Sequence, residues 1–237
     1  MLYVIADTHL SFSVEKPMDV FGAKWENHAE KLKENWIKTV KDEDTVVVPG
    51  DVSWGINLEE AKEDLLFIDK LPGKKIIGKG NHDYWWSTVR KIEAFFEENG
   101  IKTISLLYNN ALFAENTVIC GTRGWMNDFG IKEEDERIIK REAARMELSL
   151  KEGEKLKKLH PDAVLKVFMH YPAVFGKFIN YEMIDVLYRY GVADVYYGHL
   201  HNVTEEQTDK EYLGIRFHLI AGDYLKFQPM RVESRRL

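Results

Sequence analysis

The sequence predicts an α/β fold in one domain, and three observations support that prediction. Short apolar runs rich in β-branched residues alternate with amphipathic helical patterns along much of the chain. Five of these runs end, within a few residues, at Asp, His or Asn side chains. The length of 237 residues lies within the range of a single large α/β or layered domain with an ample core.

The first hundred residues alternate between strand and helix. The predicted strands cover residues 2–6, 45–48 and 75–78, and the predicted helices cover 25–40, 57–70 and 84–99. Asn57 is followed three residues later by Glu60, which is the spacing of a helix N-cap with a capping box. Gly100 predicts the end of the third helix, because glycine readily adopts the left-handed conformation that ends many helices.

The remainder of the chain contains closely spaced strand-like runs and one strongly charged segment. The strand-like runs cover residues 101–107, 111–114, 117–120, 164–169, 192–197, 215–220 and 225–232, and the predicted helices cover 131 to about 151 and 181–190. The runs at 111–114 and 117–120 are close enough to form a hairpin. We interpret residues from about 121 to 162 as a charged helical insertion in a single domain that covers residues 1–237.

Composition narrows the classes of partner. The 33 Lys and Arg residues against 39 Asp and Glu give a net charge of −6, which argues against nonspecific binding of nucleic acid or anionic membranes. Cys120 is the single cysteine, so no internal disulfide is possible and a reducing cytoplasm fits. The start of the chain carries no secretory pattern, and the longest apolar stretches are shorter than a membrane span. We expect a soluble cytoplasmic protein.

The polar residues that follow five predicted strands carry the functional prediction. They are Asp7 and His9, Asp51, Asn81 and His82, His170, and His199 and His201. In α/β sheets the ends of strands converge on one crevice, so these distant residues are expected to meet. Two Asp, several His and one Asn are too many ligands for one tetrahedral metal, but they suit two divalent ions that share a carboxylate. Such pairs favour hydrolysis of phosphate esters.

These residues form a recognisable set of motifs. Asp7-x-His9, Gly50-Asp51, Gly80-Asn81-His82-Asp83, His170 and Gly198-His199-x-His201 occur in this order, and together they resemble the calcineurin-like metallophosphoesterase superfamily. The resemblance spans residues 7 to 201. It implies a four-layer α/β/β/α sandwich of two mixed sheets flanked by helices, with two metal sites at the strand ends.

The resemblance also implies roles for single residues. One ion would be held by Asp7, His9, Asp51 and His201, and the other by Asp51, Asn81, His170 and His199. His82 would meet the leaving-group oxygen, and Asp83 would hold the other ring nitrogen of His82. An alternative role for Asp83 is to cap the helix that follows it. The ligand types suit Mn²⁺, our first choice, and also Zn, Fe, Co or Ni.

Several side chains near these motifs are candidates for substrate contacts. They are Arg123, Trp54, Trp86 and Tyr171. A guanidinium binds phosphate through two parallel hydrogen bonds, although Arg123 could equally form a surface salt bridge and the aromatic residues could serve in packing.

The function predicted from these residues is metal-dependent hydrolysis of a phosphate ester, by attack of an activated hydroxide, on a small phosphorylated metabolite or nucleotide. Two alternatives are a phosphodiesterase or nuclease of the same superfamily, and a noncatalytic scaffold. Neither stable binding of nucleic acid nor association with a membrane is expected.

Overall fold

The computed structural model describes residues 1–126, 133–208 and 210–233. Its strands are β1 Leu2–Val4, β2 Thr45–Val48, β3 Lys74–Ile77, β4 Ile104–Leu106, β5 Ala111–Ala114, β6 Thr117–Thr122, β7 Val164–Met169, β8 Val174–Phe175, β9 Phe178–Ile179, β10 Asp194–Tyr197, β11 Lys210–Tyr212, β12 Ile215–Leu219 and β13 Met230–Arg231. Its α-helices are α1 His28–Thr39, α2 Leu58–Lys70, α3 Val89–Asn99, α4 Glu133–Leu159 and α5 Tyr181–Arg189.

Two mixed sheets form the centre of the molecule. The first has the order β13-β1-β2-β3-β4, in which β1 to β4 are parallel and β13 is antiparallel. The second has the order β11-β12-β10-β7-β6-β5, with parallel pairs in the middle and antiparallel strands at both edges. Strands β8 and β9 form a separate two-stranded ribbon. The parallel strands of each sheet therefore end along a common edge.

Three apolar clusters show how the layers are stacked. The cluster between the sheets contains Val4, Val47 and Ile76 from the first sheet and Ile119, Phe168 and Tyr196 from the second. The opposite face of the first sheet packs on α1, α2 and α3, and that of the second sheet packs on α4 and α5. Because helices cover one face and the partner sheet covers the other, the central strands read as continuous apolar runs. The predicted four-layer α/β/β/α sandwich is confirmed.

Two predicted helices begin later than the sequence pattern indicates. Helix α1 follows a 3-10 turn at Ala23–Trp25, and helix α3 begins at Val89 after the N-cap Thr88. Residues 84 and 85 form a turn and residues 86–88 are irregular, where the first turn of α3 was predicted. The N-cap at Asn57 and the C-cap at Gly100 are confirmed, since the Asn57 side chain accepts from the Glu60 amide and Gly100 is left-handed.

Helix α4 is longer than predicted at its C-terminal end. It continues through Gly153 to Leu159. A Cβ at Gly153 would lie 2.5 Å from Cys120 Sγ, so the glycine lets the helix approach β6 closely. The start of the predicted helix, at residues 131 and 132, lies outside the described residues, as do residues 127–132 of the predicted insertion. The predicted strand at 225–232 is largely wrong, since only Met230–Arg231 pairs with β1.

No helix among the described residues combines the length and apolarity that crossing a membrane requires.

A buried ion cluster joins three strands of the second sheet. Asp194 on β10 accepts hydrogen bonds from Lys166 Nζ at 2.7 Å, from Arg216 Nε at 2.9 Å and from His218 Nε2 at 3.0 Å. Burial alone would raise the pKa of Asp194, but the hydrogen bonds from His218, Lys166 and Arg216 hold it below its ordinary value. Lys166 is only 1% exposed, and Asp194 is the carboxylate that pairs with its ammonium group.

We predict that Asp194→Asn lowers the free energy of unfolding at pH 7 by about 3 kcal/mol, because it leaves the buried Lys166 ammonium without a counterion. A carboxyl with a lowered pKa stabilises the fold above the ordinary pKa of about 4 and loses that effect as the pH falls further. Urea unfolding at pH 7 and at pH 3 measures both effects. The free energies of unfolding of the wild type and the variant should differ less at pH 3 than at pH 7.

Asp185→Asn is the matched control for this substitution. Asp185 also pairs with an arginine, with Arg189 Nε at 2.9 Å, but its side chain is 67% exposed. Exposed pairs contribute little, so this variant should lose much less stability. Equal losses in the two variants would contradict the role of the Asp194 cluster.

Candidate metal centre

The predicted metal-binding residues lie together where the parallel strands of both sheets end. Asp7 and His9 follow β1, Asp51 follows β2 and Asn81 follows β3, while His170 follows β7 and His199 and His201 follow β10. Backbone hydrogen bonds join these ends: the Asp7 amide donates to the Gly50 carbonyl, and the Gly198 amide donates to the His170 carbonyl. Both sheets thus contribute to one cleft.

Asp51 is at the centre of the cluster. Its Oδ2 lies 3.6 Å from His9 Nε2 and 3.6 Å from His170 Nε2. The Asp7 Oδ1 atom lies 3.7 Å from the Nδ1 of His170. A single carboxylate oxygen therefore lies between one histidine from the first sheet and one from the second, which is the position that a bridging ligand requires.

The amide of Asn81 and the ring of His201 complete the cluster. Asn81 Oδ1 lies 2.6 Å from His170 Nε2 and 2.9 Å from His199 Nδ1. The Nε2 atoms of His9 and His201 are 3.3 Å apart. The structure thus brings all seven predicted metal-binding residues together.

Two groups of charged or imidazole donors have ligand atoms within 4.8 Å of one another. The first group is Asp7, His9 and His201, which are three of the four residues expected around one ion. The second is Asp7, Asp51 and His170. Asp51 and His170 belong to the set expected around the other ion. Asp7 was not expected in that set, and the other two expected members, Asn81 and His199, are not in this group.

Four of these residues have a strained backbone. The φ angles are 56° at Asp7, 44° at His9, 53° at Asp51 and 70° at His199, all in the left-handed region that non-glycine residues rarely adopt. Strain of this kind persists where the surrounding structure enforces it and is common at functional sites. Here it turns the side chains into the cleft at the point where each strand ends.

The buried donors are incompletely paired within the protein. Asp51 Oδ2, His9 Nδ1 and His170 Nδ1 are buried and have no hydrogen-bond partner in the part of the chain that the structure describes. Buried polar atoms are nearly always paired, and carboxylate and imidazole groups together suit divalent cations. The residues therefore fit the metal ions that the motifs imply.

The pKa shifts of the acidic groups agree with that fit. Burial raises the pKa of Asp7 to about 7. Burial, followed by the charges of Asp83 and Asp7, raises the pKa of Asp51 well above its ordinary value. Burial disfavours the charged form of both carboxylates, and a bound divalent cation would offset that penalty.

Burial also lowers the pKa of most of the histidines. The pKa values of His9 and His170 lie well below the ordinary value, and that of His199 falls to about 4, in each case through burial first and neighbouring imidazoles second. Neutral imidazole is the form that coordinates a metal. Burial lowers the pKa of His201 as well, but the hydrogen bond with Asp223 and the charge of Asp7 raise it, and the net shift is upward.

Asp83 has a different partner from the one predicted. Its carboxylate accepts from the amides of Asp51, Val52, Ser53 and Gly80 and from the indole of Trp85. Those five donors occupy both oxygens, and His82 Nδ1 has no hydrogen-bond partner among the described residues. The prediction that Asp83 holds the His82 ring is wrong, and so is the alternative that it caps the next helix, because Thr88 is the cap of α3.

His82 is held in place by its backbone and by an aromatic neighbour. Its amide donates to Asp51 Oδ1 at 2.8 Å, and its ring centroid lies 4.3 Å from that of Trp54. Gly80 is essential to this turn, since a Cβ there would lie 2.0 Å from Asp51 Oδ1.

Asp223 is a functional residue that the sequence analysis missed. Its Oδ1 lies 2.9 Å from His201 Nδ1, and its Oδ2 accepts from the Asn202 amide at 3.0 Å. A carboxylate in this position fixes the ring of a metal-binding histidine and its tautomer. The available signal was its place just after β12, which is another parallel strand of the second sheet.

The four predicted substrate-contact residues have different environments. Trp54 stacks on the His9 ring at a centroid distance of 5.0 Å. Tyr171 is buried, with its ring 4.3 Å from His199, and Arg123 lies over the rings of Trp125 and Tyr171. Trp86 is 8% exposed within the apolar cluster under the first sheet. The prediction for Trp86 is wrong, because it is a packing residue.

A cavity of about 760 Å³ adjoins the cluster on the side of the first sheet. Its wall includes three of the histidines together with Trp25, Trp54, Ile56, Met18, Phe21 and Tyr84. Five residues of the segment 10–24 contribute to this wall, and Lys16 lies over the ring of Trp54 at 4.6 Å. The cleft therefore opens onto a largely apolar surface next to His82.

Comparison with known proteins agrees with this geometry. Residues 1–203 match the family model described as calcineurin-like phosphoesterase. No curated protein matches the chain. Among solved structures, the chain is similar to the protein AQ665 from Aquifex aeolicus, described as a protein of unknown function, with 17% identity, a TM-score of 0.53, and coverage of 97% of this chain and 94% of that one.

It is also similar to TT1561 of Thermus thermophilus, with 11% identity, a TM-score of 0.53, and coverage of 92% of this chain and 87% of that one. At these identities both similarities show the fold alone. The family match covers most of the chain and contains every motif identified above. The protein belongs to the calcineurin-like phosphoesterase family.

Proposed function

We propose that the protein is a divalent-metal-dependent phosphohydrolase that acts on a small phosphorylated metabolite or nucleotide. The observation that carries this proposal is the position of Asp51 Oδ2, buried and unpaired among the described residues and 3.6 Å from a histidine on either side. A noncatalytic scaffold would have no need to keep such a group, since burying an unpaired carboxylate is costly.

The ligand sets follow the family resemblance and the contacts. Asp7, His9, Asp51 and His201 would hold one ion, and Asp51, Asn81, His170 and His199 would hold the other. The contacts of Asn81 with both His170 and His199 support the second set. When bound, two divalent ions would lower the pKa of a coordinated water molecule and neutralise the phosphoryl oxygens. We propose Mn²⁺ first, with Zn, Fe, Co or Ni as alternatives.

His82 is the residue that we assign to the leaving group. Its Nδ1 is buried without a partner among the described residues, so we place the ring proton on Nε2. From there an N–H group donates a hydrogen bond to the ester oxygen as negative charge builds on it. Asp83 acts as a positioning residue, because it holds the loop of Asp51 and the turn of Gly80 in one arrangement.

The apolar cavity supports the choice of substrate. It lies on the His82 side of the cluster, where the leaving group would be, and its aromatic wall fits a nucleobase or another flat apolar group. The net charge of −6 does not favour a long nucleic acid. The buried, free thiol of Cys120 suits a reducing compartment, and we propose the cytoplasm.

We predict that the protein loaded with Mn²⁺ hydrolyses p-nitrophenyl phosphate with a higher kcat/KM than bis(p-nitrophenyl) phosphate, because the proposed substrate is a monoester. Chelation of the metal should abolish turnover of both. A preference for the diester would move the assignment to the phosphodiesterase alternative. Turnover of neither, across a panel of nucleotides and phosphorylated metabolites, would contradict the proposal.

We predict that His82→Ala lowers kcat about 10²- to 10⁴-fold for phenyl phosphate and much less for p-nitrophenyl phosphate, whose better leaving group needs less assistance. Metal content, measured by inductively coupled plasma mass spectrometry, should be unchanged, since His82 is not a ligand in this account.

His160→Ala is the matched control for His82→Ala. His160 stacks on Phe113 at a centroid distance of 3.7 Å, away from the cluster, so its loss should leave kcat unchanged. Loss of metal in His82→Ala, or an equal loss of rate for the two substrates, would exclude the leaving-group role.

A further inference from the structure

A second cavity, of about 220 Å³, collects cationic side chains from three parts of the chain. Lys79 comes from the loop after β3, Arg123 from the loop after β6, and Arg141 and Arg145 from one side of α4. Leu107, Tyr108, Asn109 and Thr122 line the remainder, together with Glu142. The cavity thus lies where both sheets end and where α4 passes over them.

The charges in this cavity do not balance. Glu142 is the one carboxylate among the described residues that line it, and it is fully buried. It already lies 2.6 Å from Arg145 Nη1 and 3.4 Å from Arg141 Nε, and it accepts from Thr122 Oγ1 at 3.0 Å. Four cationic side chains against one carboxylate leave three positive charges in excess.

Two of these cations, Lys79 and Arg123, have no counterion among the residues that the structure describes. Neither forms an ion pair with any residue that the structure describes, and both are half-buried. Lys79 and Arg123 line the same cavity as Arg141 and Arg145, so four cationic side chains lie close together. Cations that repel one another in a partly buried cavity cost free energy, and an anion bound between them would reverse the sign of that interaction.

Both residues are fixed to the backbone of the candidate metal centre. Lys79 directly precedes Gly80 and Asn81. The carbonyl of Arg123 accepts from the amides of His170 at 3.2 Å and Tyr171 at 2.9 Å. The position of the cationic cavity relative to the cluster is therefore set by the same loops that carry the predicted ligands.

We propose that this cavity is a binding site for a phosphate-class oxyanion, separate from the metal centre. Guanidinium groups match the oxygens of a tetrahedral dianion in two-pronged fashion, and a lysine adds a point charge. The oxyanion is either a second phosphoryl group of the substrate, which rests on the proposed function, or a free anion, which does not. The wall of the larger, mostly apolar cavity has one cation, Lys16, beside the carboxylates Glu15 and Glu60, so it has no excess of positive charge.

The test uses the full chain loaded with Mn²⁺ and compares wild type with Lys79→Met by differential scanning fluorimetry. Sulfate is the probe, and sodium chloride at the same ionic strength is the reference. An anion at ten times its dissociation constant raises the Tm of a domain of this size by roughly 3 to 6 °C. We expect that rise in the wild type and its loss in Lys79→Met.

Without sulfate, Lys79→Met should melt no lower than the wild type, because it removes a cation from a repulsive group. A purely structural lysine would give the opposite result. Lys157→Met, which makes the same change on an exposed part of α4 outside the cavity, should respond to sulfate as the wild type does. An undiminished sulfate response in Lys79→Met would overturn the proposal.

Arg141→Gln is the second variant, to be used if Lys79→Met fails to fold. The Arg141 side chain is 52% exposed, so its replacement is tolerated on structural grounds, and it should weaken the sulfate response. An undiminished response in this variant too would overturn the proposal.

The two sources of the oxyanion are separated by kinetics. If the anion is part of the substrate, Lys79→Met lowers kcat/KM for adenosine 3′,5′-bisphosphate more than for adenosine 5′-monophosphate. If the two fall equally while the sulfate response is lost, the site binds a free anion. Absence of turnover in the wild type would count against the proposed function, whereas the sulfate measurement would still test the site.

Discussion

The carboxylate of Asp83 is the constraint on which the candidate centre depends. It accepts five hydrogen bonds, from three successive amides that begin at Asp51, from the Gly80 amide and from the Trp85 indole. One side chain thus ties the loop after β2 to the turn after β3. Because the two loops are fixed to each other, the Asp51 carboxylate and the Asn81 amide are held close to the histidines of the second sheet.

The same region contains several features that destabilise the folded protein. Four non-glycine residues with positive φ, buried carboxylates with raised pKa values and unpaired imidazole nitrogens are all unfavourable without a compensating ligand. Bound divalent cations would stabilise the buried carboxylates and coordinate the unpaired imidazole nitrogens. The two cavities differ in chemistry, one mostly apolar and one cationic. Residues of the segment 10–24 contribute to the first and residues of α4 to the second.

The strand ends and the residues that follow them could be predicted because they depend on local pattern and on one rule of parallel sheets. A buried apolar run predicts a strand, and the carboxyl ends of parallel strands converge. His170 and Asp51 were therefore expected to lie close together although they are 119 positions apart. The four-layer arrangement followed from the resemblance of the motifs and not from periodicity.

The parts that could not be predicted depend on tertiary contacts. Asp83 was predicted to bind its neighbour His82, but its oxygens accept hydrogen bonds from three amides of a loop that is distant in sequence. Asp223 carried no motif, and its contact with His201 arises from the position of β12 beside β10. The predicted helix ended at about residue 151, whereas α4 continues through Gly153, where the close approach of Cys120 leaves room only for glycine.

The number of divalent ions that the protein retains tests the central claim most directly. The chain would be loaded with Mn²⁺, passed through gel filtration and analysed by inductively coupled plasma mass spectrometry, beside Asp51→Asn and the surface control Asp185→Asn. The account predicts about two ions per chain in the wild type and in the control, and the loss of at least one in Asp51→Asn. A wild type that retains none, or an Asp51→Asn variant that retains as many as the wild type, would contradict it.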